Sequence, residues 1–308
     1  VGSDIGPYNI HQVYTFNGFY GSSPSMTIPN QIPNEELKPA ISHAYEAGVE
    51  LRFLKDRIRT DFNYYDGKET DHIISLTLPP TTGYSSAFVN AGEIRNHGIE
   101  ITLGGTVIKN KNITWDADFN LAKNINEINE LYPGISNFLF GSFAFSGSPA
   151  ITANREVGKP FGTLIGRGFK RDVNGNVLVD NSGYPLTQNN VNFGSFLPDW
   201  TGGFTTMVNF KGFYAGLSMD FQIGGKYMSI TNMFNSGSGL AAETAGLNEN
   251  GKERRSDPAN GGGTLIPRIV QSTGKPNTTY VDTQDLYENV LFSLWENWVY
   301  DATFVKIR

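Results

Sequence analysis

The chain has 308 residues and no cysteine, with 24 Lys and Arg against 30 Asp and Glu and a formal net charge of −6. That excludes a disulfide scaffold and thiolate metal sites, and an acidic chain without a Lys/Arg cluster is not suited to neutralising nucleic-acid phosphates. No run of about eighteen apolar residues exists, so there is no transmembrane helix. The mean hydropathy of −0.30 carries little information for strands in which every lipid-facing residue is followed by a wet one.

The first predicted element is a strand over 41–53. Side chains on a strand alternate between two faces, so Tyr45, Ala47, Val49, Leu51 and Phe53 share one side and Glu46, Gly48, Glu50 and Arg52 the other. Leu54 to Arg57 turns the chain. A strand over 58–72 then sets Ile58, Thr60, Phe62 and Tyr64 against Arg59, Asp61 and Asn63. The second pair covers 92–107 and 113–125. Ile99, Ile101, Leu103 and Val107 oppose Glu100, Thr102 and Thr106, and after the turn Lys109 to Asn112, Ile113, Trp115, Ala117, Phe119 and Leu121 oppose Thr114, Asp116, Asp118 and Asn120. A strand over 157–170 follows. The third pair, 199–210 and 213–230, turns at Lys211-Gly212. Trp200, Phe204, Val208 and Phe210 lead into Phe213, Ala215, Leu217, Met219, Phe221 and Ile223, which alternate with Tyr214, Gly216, Ser218, Asp220 and Gln222. A last strand covers 298–308.

This pattern fits a soluble sandwich with one dry face, or a transmembrane barrel with apolar residues toward lipid and polar residues toward a wet lumen. Loop lengths decide. The turns inside each pair are short, whereas the segments from Asp66 to Ile94, Lys123 to Leu197 and Gly224 to Val290 are far longer. Compact soluble domains rarely carry such loops, and short turns on one rim with long loops on the other mark an outer-membrane barrel. The fold class expected is therefore all-β, an antiparallel transmembrane β-barrel with long extracellular loops, on the outer membrane of a Gram-negative bacterium. Lumen-facing residues would be Glu46, Glu50, Arg52, Asp61, Glu100, Asp116, Asp118 and Asp220. Trp115, Trp200, Trp295, Trp298, Tyr64 and Tyr300 are candidates for the aromatic girdles at the membrane–water interfaces, with core packing as the alternative. About eight strands could close a small barrel, but loops this large are too bulky for its mouth. The chain starts at Val1 without a signal peptide and stops inside an alternating strand, Val305 to Arg308. Both features are expected of a portion of a wider barrel, since an unpaired edge is not tolerated in lipid.

The loops hold two candidate sites. Phe138, Phe140, Phe143 and Phe145 could pack the loop, meet a lid, or contact substrate. Asp172-x-Asn174-Gly175-Asn176, with Asp180 further on, reads as an Asn-Gly turn. The alternative is a Ca2+ ion held by Asp172, Asn174, Asn176 and Asp180. In the EF-hand spacing Gly is sixth and an acid twelfth, whereas here Gly175 is fourth and Gly183 twelfth. No enzyme is expected: His11, His43, His72 and His97 lack metal-ligand spacing, no G-x-S-x-G elbow occurs, and Gly261-Gly262-Gly263 lacks the Lys of a phosphate loop.

Three stretches carry a family resemblance. Leu78-Pro79-Pro80-Thr81-Thr82-Gly83-Tyr84-Ser85-Ser86, followed by Asn90-Ala91-Gly92-Glu93-Ile94-Arg95-Asn96-His97-Gly98-Ile99-Glu100, is the most specific. Asn34-Glu35-Glu36-Leu37-Lys38-Pro39 is the second. The third combines Val157-Gly158-Lys159-Pro160-Phe161-Gly162 with Asp172 to Asn176 and Pro198-Asp199-Trp200. In order and spacing the chain resembles the C-terminal half of the barrel in SusC/RagA-like TonB-dependent outer-membrane transporters. The resemblance implies a barrel of about 22 strands, of which 1–308 is one part, with plug domain, TonB box and terminal strands outside this chain. It also implies TonB and a SusD-like lipoprotein lid as partners and an oligosaccharide or peptide as substrate. A surface scaffold or anchor and a passive porin are the other functions this barrel could serve.

Overall fold

The long alternating runs form one antiparallel sheet of seven strands. The computed structural model describes residues 10–308 apart from Ala91, Ser146 and Gly147, so Val1 and Ala91 of the first motif lie outside the described residues. Strands β1 (Ile41–Phe53), β2 (Ile58–Thr70), β3 (Glu93–Lys109), β4 (Ile113–Glu130), β5 (Trp200–Phe210), β6 (Phe213–Ile223) and β7 (Phe304–Ile307) hydrogen-bond in chain order. The sheet is open, with β1 and β7 at its edges.

Residues opposite one another on neighbouring strands share a face, so the register traces rows across the sheet. One row runs Leu51, Thr60, Leu103, Phe119, Phe204, Met219, Ile307. The row one residue along runs Glu50, Asp61, Thr102, Asn120, Gly203, Asp220, Lys306. The alternation predicted strand by strand is therefore coherent across all seven strands. The apolar face is uncovered: Leu103 is 50% exposed and Phe213 79%. Two polar groups on this face are paired internally, as a lipid-facing surface favours. The Trp115 indole N–H donates to Thr206 Oγ1 at 2.7 Å, and the Thr206 hydroxyl donates to the Asp116 carbonyl at 3.0 Å.

The short turns have identifiable causes. Lys211 and Gly212 both take positive φ, 49° and 89°, as a two-residue turn that follows strand twist demands. Asn110 Oδ1 accepts the N–H groups of Asn112 and Ile113 at 2.9 and 3.0 Å, which closes the second turn. Gly202 has a different role. The Phe221 ring on β6 passes over it to stack on Phe119 of β4, with centroids 6.2 Å apart. A Cβ at Gly202 would lie 2.5 Å from that ring and 2.4 Å from the Asn120 carbonyl oxygen. Gly202→Ala is expected to destabilise the folded protein by about 1–3 kcal/mol through overpacking, measured by thermal unfolding in detergent.

Three expectations are corrected. The segment 157–170 does not join the large sheet. Its strand Thr163–Phe169 lies in a separate four-stranded sheet with Asn137–Phe143, Ile151–Glu156 and Thr187–Ser195. Alternation marks a half-buried strand without saying in which sheet it sits. Residues 213–230 and 298–308 are each broken in two. Gly224 and Gly225 at φ 76° and 81° end β6, and Lys226–Met228 pairs instead with Val299–Asp301. Val107 does not continue the apolar row, because a bulge sits between Thr106, opposite Asp116, and Ile108, opposite Trp115. Ile108 takes that place, and the Arg57 guanidinium donates to the Val107 carbonyl at 3.2 Å.

The dry core lies in the loops. Segments 131–199 and 224–303 pack together around Ile151, Met233, Val281, Leu286, Leu291, Leu294, Trp295 and Trp298. Trp295 is 0% exposed and Trp298 2%, so these two belong to a core and not to a girdle. Trp200 and Tyr64 do end the apolar rows on the loop side, where Lys123 Nζ sits 5.0 Å from the Trp200 ring. Among the described residues no helix is long and apolar enough to cross a membrane.

Candidate functional site at the loop-covered rim

The eight residues predicted for a lumen all share the polar face. Glu46 lies opposite Tyr65, Arg52 opposite Arg59, Glu100 opposite Asn63, Asp116 opposite Thr106 and Asp118 opposite Gly104. Several charges are neutralised there: Arg52 pairs with Glu50 at 2.7 Å, Arg59 with Asp118 at 3.2 Å and Arg308 with Asp220 at 2.5 Å. The face is ion-paired and rich in hydroxyls and amides.

The four phenylalanines separate into different environments. Phe138 packs beside Ile74 and Leu76. Phe143 meets Trp295 edge-on at 5.8 Å, and Phe145 meets Phe234 and Phe292 at 5.2 and 5.4 Å. Three of the four thus pack loop segments together. Phe140 differs: it is the extra residue of a bulge between Leu139, opposite Asn154, and Gly141, opposite Ala153. Bulges re-aim side chains, and this one turns the Phe140 ring onto Phe161 at 4.8 Å.

Asp172 and Asp180 each close their own turn. Asp172 Oδ1 accepts N–H groups from Asn174 and Asn176 at 2.9 and 2.8 Å, and its Oδ2 accepts from Asn176 Nδ2 at 3.0 Å. The Asn176 side chain first, then these N–H groups, hold the Asp172 carboxyl below its usual range. Asp180 Oδ1 accepts from Ser182 and Tyr184 at 2.8 and 3.0 Å. Among the described residues no three His, Cys, Asp or Glu side chains converge to hold a metal. A Ca2+ ion at Asp172, Asn174, Asn176 and Asp180 would displace donors already in place. The expected result of a calcium titration is unchanged hydrogen-exchange protection over 170–186. A rise in protection there would establish the ion.

The motif residues act as clamps at the rim. Asn90 Nδ2 donates to the Lys38 and Asp71 carbonyls at 2.7 and 2.8 Å, and its Oδ1 accepts the Lys38 N–H at 2.7 Å. That ties the first motif to the second, just before β1. Arg95 holds Asp66 through two bonds of 2.9 and 2.5 Å. Asn126 Nδ2 donates to Asn96 Oδ1 at 2.5 Å while Asn126 Oδ1 accepts the Phe161 N–H at 3.1 Å. The third motif is thereby seated on the polar face above β3 and β4.

A family model described as TonB dependent receptor-like, beta-barrel matches residues 8–300. The chain belongs to this family. TonB-dependent receptor P3 of Formosa agariphila is 27% identical over 233 residues, 70% of this chain and 23% of that relative. TonB-dependent receptor SusC of Bacteroides thetaiotaomicron is 32% identical over 102 residues, 33% of this chain and 10% of SusC. The solved RagAB peptide importer in its open-open state superposes with a TM-score of 0.67 at 18% identity, over 99% of this chain and 31% of that one. A further RagAB peptide transporter structure gives 0.63 at 19% identity, over 99% and 32%. These superpositions establish the shared fold. The chain spans about a quarter of the length of the first curated relatives it matches, 23% and 24%.

Within this TonB-dependent receptor barrel, sequence reasoning missed Arg155, Phe161 and Phe196. Arg155 sits in Asn154-Arg155-Glu156, which reads as ordinary solvated charge. No sequence signal announced the bulge that brings Phe140 to it.

Proposed function

We propose that the chain is part of the barrel of an active outer-membrane importer of the SusC type. It takes up a nutrient too large for porins, an oligosaccharide or a peptide, with energy delivered through TonB and a SusD-like surface lipoprotein as lid. The observation that carries this reading is the inversion of the molecule. An uncovered apolar face backs a polar, ion-paired one, and the dry core is confined to loops gathered at one rim. The family relationship supports it, as does the importer named among the fold neighbours. Plug domain, TonB box and the remaining strands would lie elsewhere in a longer chain, and β1 and β7 would pair with those strands. Glu46, Glu50, Arg52, Asp61, Glu100, Asp116, Asp118 and Asp220, with the other charged residues of the polar face, would line the lumen around the plug.

The test is to purify the full-length protein from native outer membranes in mild detergent and identify what accompanies it by mass spectrometry. A stoichiometric lipoprotein with a trapped glycan or peptide is expected. Secretion or surface components without a lid or ligand would replace transport by a scaffold role.

A further inference from the structure

Among the described residues Arg155 is a cation without a counterion. It projects from Ile151–Glu156 opposite Phe138. Its guanidinium carbon lies 5.3 Å from the Phe140 ring centre and 5.1 Å from that of Phe161. Phe196 meets Phe161 edge-on at 5.8 Å. Gly162, at φ 76°, gives Phe196 room, since a Cβ there would lie 2.1 Å from its ring. Nε of Arg155 is buried with no hydrogen-bond partner among the described residues. Burial is the one influence on its pKa and pushes it down, with no carboxylate pushing back.

A guanidinium cannot shed its proton under ordinary conditions, so the charge persists. Ring faces offset part of its desolvation but accept none of its N–H donors. A structural arginine would find acceptors, and a solvated one would extend its head into water. Here a bulge and a glycine hold it half-buried and open-handed. The cluster sits on the polar side of the rim, because the Phe161 N–H donates to Asn126 of β4 at 3.1 Å.

We propose that Arg155, between Phe140 and Phe161, receives a carboxylate of the incoming substrate. The inference rests on the importer reading and deepens it. The planar fork matches a carboxylate with two parallel bonds, and the rings offer an apolar surface to the organic body that bears it. Among the described residues Arg155 alone stacks over these two rings, which fits a singly charged group better than a phosphate. A peptide C-terminus and a uronic acid residue of a glycan supply the same chemistry.

The experiment uses the full-length receptor, with any co-purifying partner, in detergent. One arm offers an equimolar mixture of short peptides lacking Asp and Glu, as free acids and as C-terminal amides. The other offers oligogalacturonates and their methyl esters. Retained material is quantified by mass spectrometry for wild type, Arg155→Gln and Arg155→Lys, the last keeping the charge but not the fork. Wild type is expected to enrich the free carboxylate in one arm by roughly tenfold to a hundredfold, and that arm names the source. Both variants are expected to lose most of the enrichment, and Arg155→Gln to melt no lower than wild type. No preference in either arm, or a preference that survives both substitutions, overturns the assignment. Nutrient uptake by cells carrying wild-type receptor is scored separately. Uptake without carboxylate preference removes the role of Arg155 and leaves the importer standing, whereas absence of uptake removes the importer.

Discussion

Leu103→Arg is expected to destabilise the folded receptor by about 2–4 kcal/mol in a bilayer, the cost of a cation on the lipid face near the midplane. Thr102→Arg, one residue away, is expected to change stability by no more than about 0.5 kcal/mol, as for an exposed surface site. The contrast follows from register. Leu103 lies opposite Phe119 in the row that also holds Phe204 and Met219, whereas Thr102 lies opposite Asn120 on the polar face. On β4 the Leu103 row falls at Phe119, inside the apolar run from Ile113 to Leu121, between the turn side and Lys123, which lies opposite Ile99. Leu217, opposite Thr206 on the same face, provides a second site for the measurement. Urea unfolding of full-length protein from lipid vesicles reads both substitutions. Equal small losses would mean that the face carrying Leu103 does not meet hydrocarbon.

Trp295→Ala is expected to cost about 3–5 kcal/mol, the range for deleting a large aromatic side chain from a packed core. Trp295 is 0% exposed, lies edge-on to Phe143, and donates its indole N–H to the Pro149 carbonyl at 2.6 Å. Truncation opens a cavity and removes the donor to that carbonyl. The loss should be local. Hydrogen exchange is expected to speed up in segments 131–199 and 224–303 while β1 to β6 keep their protection, because the loop core contains no residue of those strands. Simultaneous loss of protection in the sheet would show that loops and sheet unfold as one unit.

The sheet was legible because its signal has period two and repeats on six long strands. Once Leu51, Leu103, Phe119, Phe204 and Met219 fall on one face, pairing in register is enough to align them. Local deviations were not legible. A bulge adds one residue without any required residue type, so Val107 and Ile108 could not be told apart by pattern. Loop packing was hidden for a related reason. Trp295 and Trp298 flank a strand just as Trp200 does, and only tertiary contacts separate a core tryptophan from an interfacial one. Thr163–Phe169 reads as a strand by composition, yet Gly166 places it beneath Trp295, where a Cβ would come within 3.0 Å.

The candidate site divides in the same way. Charges on the polar face followed directly from alternation. The phenylalanine run pointed to the right segment, but its members do different things, since Phe143 and Phe145 hold the loop core while Phe140 faces Arg155. The Asp172 turn had the oxygen-rich composition of an ion loop, and its carboxylate accepts the N–H groups of Asn174 and Asn176. Motifs that carried the family resemblance serve geometry: Asn90 and Asn96 fasten the loops to the rim, and Arg95 ties β3 to β2 through Asp66.

The central claim is that the apolar face of the seven-stranded sheet meets lipid and the polar face meets water. Nitroxide labels placed singly along β3 and β4, at Leu103 and Phe119 and at Thr102 and Asn120, test it most directly in full-length receptor reconstituted into bilayers. Collision with oxygen reports hydrocarbon, and collision with a water-soluble nickel chelate reports solvent. A barrel wall requires alternation, with Leu103 and Phe119 open to oxygen and closed to nickel, and Thr102 and Asn120 the reverse or shielded from both. Nickel access at Leu103 and Phe119 equal to that at Thr102 and Asn120 would contradict it, and the sheet would then be no membrane wall.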